Sequence, residues 1–245
     1  MLLEIAGKPL ILHTLGQAKK ASNVSRVIVA TDDERILAVV RENGGEAMMT
    51  SAGHRSGSDR LAEVAATLPS NSIIVNVQGD EPTISPLTID LAVNAMLADD
   101  SADIVTTCEK IAEAKDVLDP NIVKVVTDIN GYAIYFSRSP IPYPRTAMAR
   151  SRDWEQTFAA DPGLLDEYRK HTGIYVYRRD YLLKFAAMTP TRLETIEMLE
   201  QLRALENGAK IKVVETDEPS IGVDTPEDLE RVRLILSAAV VEGSE

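Results

Sequence analysis

Short apolar runs, rich in β-branched residues, alternate along this chain with stretches of helical periodicity. The runs at 26–31 and 73–77 are typical of strands buried on both faces of a parallel sheet. Further strands are predicted, in chain order, over 103–109, 122–127, 132–136, 172–177 and 210–215. The residues Asp-Ile-Asn-Gly at 128–131 predict a β-hairpin between two of these strands.

Helices are predicted in the intervals between the strands. Asp32 or Asp33 can cap a helix that continues to Arg41, and Ser56 or Ser58 can cap the next one. Further helical patterns cover 85–98, 179–187, 193–206 and 226–240. The alternation predicts an α/β fold with a mainly parallel sheet and helices on both faces, interrupted by the antiparallel hairpin.

The stretch 140–170 breaks this alternation. It is rich in proline and charge, and we expect an irregular excursion there that is either mobile or used in self-association. Because no repeat or clear linker divides the chain, we expect a single domain over 1–245.

Composition and charge narrow the class of protein. The chain has 245 residues, of which 44% are hydrophobic and 26% charged, as in ordinary globular domains. Its net charge of -12 repels nucleic acid at long range, so we expect no nucleic-acid partner.

The single cysteine, Cys108, excludes an intrachain disulfide framework. No apolar run approaches the ~20 residues that cross a bilayer, and the first residues lack a secretion signal. We therefore expect a cytoplasmic protein without membrane contact.

Several familiar catalytic signatures are missing. The sequence contains no G-x-G-x-x-G after a strand, no G-x-x-x-x-G-K-[ST] and no G-x-S-x-G. These absences disfavour a redox dinucleotide enzyme, a Walker-type ATPase and a serine hydrolase.

The strongest chemical signal is Gln-Gly-Asp-Glu-Pro at 78–82, directly after the strand at 73–77. Ligands of open α/β sheets bind beyond the carboxyl ends of the strands, where Asp80 and Glu81 stand. Two interpretations remain open. The residues form either a charged turn that caps the next helix or a Mg²⁺ site, because Mg²⁺ prefers one or two carboxylates together with substrate phosphate oxygens.

A second carboxylate stands before the last predicted helix. Thr225, Pro226 and Asp228 are explained as a helix start of the capping-box type. Asp224 is not explained in this way, and paired with Asp80 it makes a two-carboxylate magnesium clamp.

Other candidates have an equally ordinary structural alternative. The residues at 54–60 place Ser56, Gly57 and Arg60 at a helix start, where backbone amides bind anions or where an ordinary cap forms. Arg138 follows a strand and suits a carboxylate ligand, and His171 begins another. In the helical pattern at 193–203, the glutamates Glu194, Glu197 and Glu200 would ordinarily be solvated.

Taken in order, these motifs resemble those of the 3-deoxy-manno-octulosonate cytidylyltransferases (CMP-Kdo synthetases). The matching segments are 5–11, 27–32, 56–63, 75–82, 135–138, 171–175, 197–203 and 222–229. The resemblance implies a nucleotidyltransferase-like (nucleotide-diphospho-sugar transferase) three-layer α/β fold and a homodimer. It also implies an enzyme that activates the acid sugar Kdo with CTP, giving CMP-Kdo and pyrophosphate for lipopolysaccharide biosynthesis.

The resemblance also implies roles for individual residues. Asp80 and Asp224 are the catalytic carboxylates that hold Mg²⁺, and Ser56, Gly57 and Arg60 bind the nucleotide. The positions that line the sugar pocket are Gln78, Arg138, His171, Tyr175, Glu200 and Gln201.

The sequence departs from the family at its start. Members open with an apolar strand and a basic loop, P-A-R-x-x-S-x-R-L-P-x-K, just before the segment that matches Leu3-Glu4-Ile5. We therefore expect a sheet without its first strand and a misassigned or truncated start with impaired activity, which restoring the upstream segment would recover. Two alternatives stay open: a cytidylyltransferase for a related acid sugar, such as an 8-amino Kdo analogue, and a non-catalytic sugar-binding homologue.

Overall fold

The computed structural model describes residues 1–223 and 225–242. Its strands are β1 (Glu4–Ile5), β2 (Lys8–Pro9), β3 (Ile28–Thr31), β4 (Glu46–Met49), β5 (Ile73–Asn76), β6 (Ile104–Lys110), β7 (Lys124–Thr127), β8 (Ala133–Ser137), β9 (Arg169–Arg178) and β10 (Ile211–Glu215). Its helices are α1 (Leu10–Ala18), α2 (Glu34–Glu42), α3 (Gly57–Ala66), α4 (Pro86–Ala98), α5 (Ala114–Leu118), α6 (Arg145–Ser151), α7 (Trp154–Ala160), α8 (Arg179–Ala186), α9 (Arg192–Glu197), α10 (Gln201–Glu206) and α11 (Pro226–Glu242). A 3₁₀ helix covers Pro162–Glu167.

The chain folds into two compact units, each assembled from separate segments. Unit 1 comprises Met1–Asn94, Ile174–Ala187 and Glu218–Glu245, and unit 2 comprises Ala95–Gly173 and Met188–Asp217. The chain passes from unit 2 to unit 1 within β9. One domain over 1–245 stays a prediction.

Unit 1 contains both parallel and antiparallel pairings. β3 lies parallel to β4, with Thr31 opposite Met49 at their carboxyl ends. β5 pairs antiparallel with the second half of β9, so that Asn76 faces Tyr175. Its apolar contacts include a cluster of Ile11, Leu12, Leu15, Val40 and Ala47 and a second cluster of Ile5, Leu10 and Val232.

Unit 2 is built on a sheet with the strand order β10-β6-β9-β7-β8. β10 lies parallel to β6, whereas β7 pairs antiparallel with both β8 and β9. The sheet is therefore mixed, and its antiparallel part extends beyond the predicted hairpin. None of the helices in the described part of either unit is long and apolar enough to cross a membrane.

Local sequence signals are confirmed at several boundaries. The carboxylate of Asp33 accepts from the Arg35 amide at 2.8 Å, and α2 ends before Gly44, which has a φ of +69°. The hairpin forms where predicted, with Gly131 at a φ of +77° between β7 and β8. The capping box at α11 is present, because the Asp228 amide donates to Thr225 Oγ1 at 3.2 Å and the Thr225 amide donates to the Asp228 carboxylate at 3.1 Å.

Two predictions about elements are wrong. The helix over 193–206 is two helices, because Met198 adopts a left-handed conformation (φ 54°, ψ 49°) that ends α9 before α10 begins. Much of the stretch 140–170 is regular, since α6, α7 and a 3₁₀ helix occupy it. Aromatic side chains explain this order: Phe158 and Tyr168 are buried in one cluster with Ile111 and Val117.

Candidate active site

The loop that leaves β5 is fixed by hydrogen bonds to its carbonyl groups. The hydroxyl of Thr14 on α1, which is 4% exposed, donates to the Gly79 carbonyl at 2.8 Å. A Cβ atom on Gly79 would meet the Met1 sulfur at 2.9 Å and Ile11 Cδ1 at 3.2 Å. Glycine at position 79 leaves room for these two side chains beside its backbone. The loop presents Gln78 exposed and Asp80 half-buried.

The segment that precedes α11 runs beside this loop. The Val223 amide donates to the Asp80 carbonyl at 2.9 Å, and the Ile221 amide donates to Thr83 Oγ1 at 2.9 Å. Ser220 Oγ also donates to the Glu81 carboxylate. These contacts place residues 220–223 beside the loop that carries Asp80, the first predicted metal ligand. The second, Asp224, lies outside the described residues.

The predicted nucleotide-binding residues lie at the start of α3. Ser56 caps the helix by accepting from the Asp59 amide at 3.3 Å, and Gly57 is the first helical residue. The Arg60 guanidinium donates to Thr50 Oγ1 at 2.5 Å and lies 3.1 Å from the Asp32 carboxylate. Arg60 is thus held where β3 and β4 end, by one residue that follows each strand.

A histidine and a glutamate form a second contact beside this helix. His54 Nε2 bonds to the Glu63 carboxylate, which also accepts from the Ser51 amide at 3.0 Å. The Ser51 amide, followed by the His54 bond, lowers the pKa of Glu63. The loop before α3 is therefore fastened to the helix by a carboxylate that stays ionised.

Tyr175 lies on β9 within unit 1. It faces Asn76 across the β5–β9 pairing, two residues before Gln78. Its ring stacks on Tyr177, with 5.9 Å between ring centroids. Two predicted sugar-pocket residues, Gln78 and Tyr175, are therefore carried by paired neighbouring strands.

In unit 2, Arg138 follows β8 and is occupied by carbonyl groups. Its Nε donates to the Glu197 carbonyl at 2.7 Å, its Nη1 to the Pro120 carbonyl at 2.9 Å and its Nη2 to the Met198 carbonyl at 3.4 Å. The guanidinium thus lies at the carboxyl end of α9, where a positive charge is favourable. These contacts use three of the five N–H donors of an arginine.

His171 lies on β9 in unit 2 and is neutral at physiological pH. Its Nε2 is 2.8 Å from the Thr106 hydroxyl, and its ring meets Phe136 edge to face at 5.1 Å. Burial lowers the pKa of His171 to about 4. The ring can therefore exchange hydrogen bonds with a ligand but cannot supply a positive charge.

Glu200 and Gln201 lie at the start of α10. Glu200 is the residue before the helix, and its carbonyl accepts from the Arg203 amide at 3.0 Å. Gln201 is the first helical residue and is 5% exposed.

The predicted residues that the structure describes are divided between the two units. The group in unit 1 contains Ser56, Gly57, Arg60, Gln78, Asp80 and Tyr175. The group in unit 2 contains Arg138, His171, Glu200 and Gln201. Two contacts connect members of the second group. The His171 ring contacts Phe136, which lies on β8 just before Arg138. Arg138 donates to the Glu197 carbonyl, which lies three residues before Glu200.

Three supporting residues were not identified from the sequence as parts of this site. Thr14, Thr106 and Glu197 each hold a predicted site residue or its neighbour through a contact distant in the chain. The expectation that Glu194 and Glu197 are solvated is wrong. Glu194 is paired with Arg203, and the Glu197 carboxylate accepts from Ser137 Oγ at 2.7 Å. No local sequence signal marks such partners.

The carboxylates of the described residues can be matched to the needs of a Mg²⁺ ion. Within residues 1–223 and 225–242, no cluster of three or more His, Cys, Asp or Glu side chains could hold a metal. Mg²⁺ needs only one or two carboxylates when substrate phosphates supply further oxygens. The loop of Asp80, at the end of β5, offers such a carboxylate, so the residues fit this ion.

Comparison with known proteins identifies the family. A family model described as cytidylyltransferase matches residues 1–211. The 3-deoxy-manno-octulosonate cytidylyltransferase of Geotalea uraniireducens is 57% identical over 231 residues, which cover 94% of this chain and 90% of the relative.

Two solved structures confirm the nucleotidyltransferase-like α/β fold. A CMP:2-keto-3-deoxy-manno-octonic acid synthetase complexed with CTP superposes with a TM-score of 0.86 at 39% identity, covering 97% of this chain and 91% of the other. The 4-diphosphocytidyl-2C-methyl-D-erythritol synthase of Anaerococcus prevotii gives a TM-score of 0.59 at 14% identity over 96% and 92% of the two chains, a likeness of fold alone. The chain therefore belongs to the cytidylyltransferase family, among the 3-deoxy-manno-octulosonate cytidylyltransferases.

Proposed function

We propose that this protein transfers CMP from CTP to Kdo, giving CMP-Kdo and pyrophosphate, as the names of its relatives indicate for them. The observation that carries the proposal is the hydrogen bond from the Val223 amide to the Asp80 carbonyl. It brings the residue before Asp224 to the loop of Asp80. It helps to fix the loop that carries Asp80, and so supports Asp80 as one carboxylate of a Mg²⁺ site.

The reaction is a substitution at phosphorus. The anomeric hydroxyl oxygen of the sugar forms a bond to the α-phosphorus of CTP. The bond from that phosphorus to the oxygen bridging the α- and β-phosphates breaks, and pyrophosphate leaves with that electron pair. The hydroxyl proton is lost to the surroundings. Positioning and stabilisation of negative charge on the phosphate oxygens are what the protein must supply.

Asp80 and Asp224 would hold the Mg²⁺ ion. When bound, Mg²⁺ supplies positive charge beside the phosphate oxygens as negative charge develops on them. Asp80 suits this task because its loop is held at two successive carbonyl groups, by Thr14 and by Val223. Such fixing keeps the carboxylate near one place before substrates arrive.

The remaining residues divide between nucleotide and sugar. Ser56, Gly57 and Arg60 would contact the nucleotide from the start of α3, a position at which free backbone amides suit anionic groups. The residues that would contact the sugar are Gln78, Arg138, His171, Tyr175, Glu200 and Gln201. Since His171 is neutral, it would recognise sugar hydroxyl groups by hydrogen bonding. Arg138 would use the donors that its three carbonyl contacts leave over.

We also propose that the protein is a cytoplasmic homodimer and that its product serves lipopolysaccharide synthesis. These proposals rest on the family membership. Light scattering coupled to size-exclusion chromatography should give a mass near twice the 26.8 kDa of one chain. The mass of one chain would contradict the dimer.

Product analysis tests the proposed function. The protein is incubated at high concentration with CTP, Mg²⁺ and Kdo, and CMP-Kdo is measured by mass spectrometry alongside pyrophosphate. We expect both products in equal amounts and only when both substrates are present. A parallel reaction with the 8-amino Kdo analogue should be slower. If the protein reacts faster with the analogue, the analogue replaces Kdo as the proposed substrate. If titration calorimetry shows no CTP binding, the result supports a non-catalytic protein.

A further inference from the structure

Glu197, the last residue of α9, receives several contacts from β8 and the residue after it. Its carboxylate accepts from Ser137 Oγ at 2.7 Å and from the Arg138 amide at 3.0 Å. The carboxylate also faces Tyr135, whose pKa is raised by burial and then by the negative charge of Glu197. The Glu197 carboxylate thus faces three residues near the end of β8, which are Tyr135, Ser137 and Arg138.

Arg138 in turn donates hydrogen bonds to the backbone at the end of α9. Its Nε donates to the Glu197 carbonyl at 2.7 Å and its Nη2 to the Met198 carbonyl at 3.4 Å. Glu197 and Arg138 therefore hold each other at both backbone and side chain. We call the contacts between Ser137, Arg138, Glu197 and Met198 the β8–α9 latch.

The latch lies next to the turn that carries two sugar-pocket candidates. After Glu197 the chain passes through the left-handed residue Met198 and the buried Leu199 to Glu200 and Gln201. A left-handed residue other than glycine or asparagine has an intrinsic cost, so surrounding contacts must maintain it. The Arg138 contact to the Met198 carbonyl is one such contact, and the hydrogen bond from the Leu199 amide to the Glu194 backbone carbonyl at 3.2 Å is another.

We propose that Glu197 is a positioning residue for the acid sugar: through the β8–α9 latch it fixes Arg138 relative to Glu200 and Gln201. The inference rests on the proposed function. In this proposal, the Nε and Nη2 donors of Arg138 hold the turn between α9 and α10. Because the latch joins sugar-side candidates only, removing its charge should weaken binding of Kdo and leave nucleotide binding unchanged.

A second glutamate on the same helix provides the matched control. Glu194 pairs with Arg203, and the two side chains are 10% and 8% exposed. The pair connects α9 to α10 without touching Arg138 among the described residues. Glu194→Gln should therefore lower stability, whereas Glu197→Gln should change the sugar site.

Calorimetric titration separates these effects without requiring turnover. Wild type, Glu197→Gln and Glu194→Gln are titrated with Kdo in the presence of Mg²⁺ and saturating α,β-methylene CTP, below the unfolding temperature of each variant. A separate titration measures the analogue alone. For Glu197→Gln we expect the Kd for Kdo to rise about tenfold or more, because charge-assisted hydrogen bonds are lost, with the nucleotide Kd unchanged within about twofold. Glu194→Gln should bind both ligands as wild type does. Ser137→Ala, which removes one contact and keeps the charge, should show a smaller rise.

The outcomes separate the latch from the function on which it rests. A wild-type protein that binds no Kdo contradicts the proposed function and the inference with it. A wild-type protein that binds Kdo, combined with a Glu197→Gln variant of equal affinity, overturns the latch alone. Equal weakening of Kdo and nucleotide binding in Glu197→Gln would also overturn it, since a general loss of structure has that effect.

Discussion

The two groups of site residues are held in place by different chemistry. In unit 1, the loop after β5 is fixed by neutral hydrogen bonds from Thr14 and the Val223 amide. In unit 2, the contacts involve charged side chains: the Glu197 carboxylate accepts from the Arg138 amide beside the turn between α9 and α10, and Glu194 forms an ion pair with Arg203 that joins the two helices. A neutral hydrogen bond contributes about 1 kcal/mol net, whereas removing one partner of a buried ion pair costs about 3–5 kcal/mol. Single substitutions of the charged residues in unit 2 should therefore lower stability more than substitutions of the neutral contacts in unit 1.

The largest effect is expected at Glu194. Glu194→Ala leaves the buried Arg203 guanidinium without the carboxylate with which it pairs. We expect the free energy of unfolding to fall by about 3–5 kcal/mol in urea titrations. The matched control is Glu230→Ala on α11, whose pair with Arg233 is exposed and should be worth less than about 1 kcal/mol. Similar losses in the two variants would contradict the comparison.

A smaller effect is expected at Thr14. Thr14→Val keeps the shape of the side chain but removes the hydroxyl that donates to the Gly79 carbonyl, so stability should fall by about 1–2 kcal/mol. The Mg²⁺ concentration for half-maximal turnover should rise, because the loop of Asp80 is less well fixed. Thr14→Ser retains the donor and should restore the Mg²⁺ dependence. Equal behaviour of the valine and serine variants would show that the hydroxyl is not involved.

His171 should not change its charge in the physiological range. Its pKa lies near 4 in the folded protein because the ring is buried, below the ordinary value of 6.5. The unfolded chain therefore binds the proton more readily, so the stabilising contribution is complete above pH 6.5 and is lost as pH falls through 4. Carbon-13 NMR of the His171 ring, assigned with His171→Gln, should show no titration between pH 6 and 8. A midpoint in that range would contradict a neutral ring.

The smallest effect is expected at Gly79. An added methyl group in Gly79→Ala would meet the flexible end of Met1 at 2.9 Å and Ile11 at 3.2 Å, and both side chains can shift. We expect a loss of about 1 kcal/mol or less, within the range of ordinary substitutions. Differential scanning calorimetry measures the change. A loss as large as that of Glu194→Ala would mean that the loop after β5 is packed more rigidly than its neutral contacts indicate.

The sequence predicts best those features that depend on neighbouring residues. The hairpin at Gly131 and the capping box of Thr225 and Asp228 were predicted because their signals lie within a few positions. The break at Met198 was missed, since a left-handed methionine has no sequence signature and is maintained by Arg138, 60 residues earlier. Order in 145–167 was missed for a similar reason, because Phe158 is buried in one cluster with Ile111 and Val117, which lie before β7 in the chain.

The same distinction applies to the candidate site. Asp80 was identified from its position after an apolar strand, a rule that needs no knowledge of distant contacts. The partners that hold it, Thr14 and Val223, are 65 and more residues away in sequence and were not predicted. Arg138 was identified as a site residue, but its occupation by three carbonyl groups follows only from the fold.

Asp80 is the described carboxylate on which the proposed cytidylyl transfer depends most directly. The test compares Mg²⁺-dependent formation of CMP-Kdo by wild type, Asp80→Asn and Asp90→Asn. Asp90 is a control carboxylate of unit 1 that accepts from the Ser22 and Asn23 amides, at 2.9 and 2.7 Å. We predict that Asp80→Asn abolishes product formation while Asp90→Asn remains close to wild type. Near-normal formation of CMP-Kdo by Asp80→Asn would contradict the account.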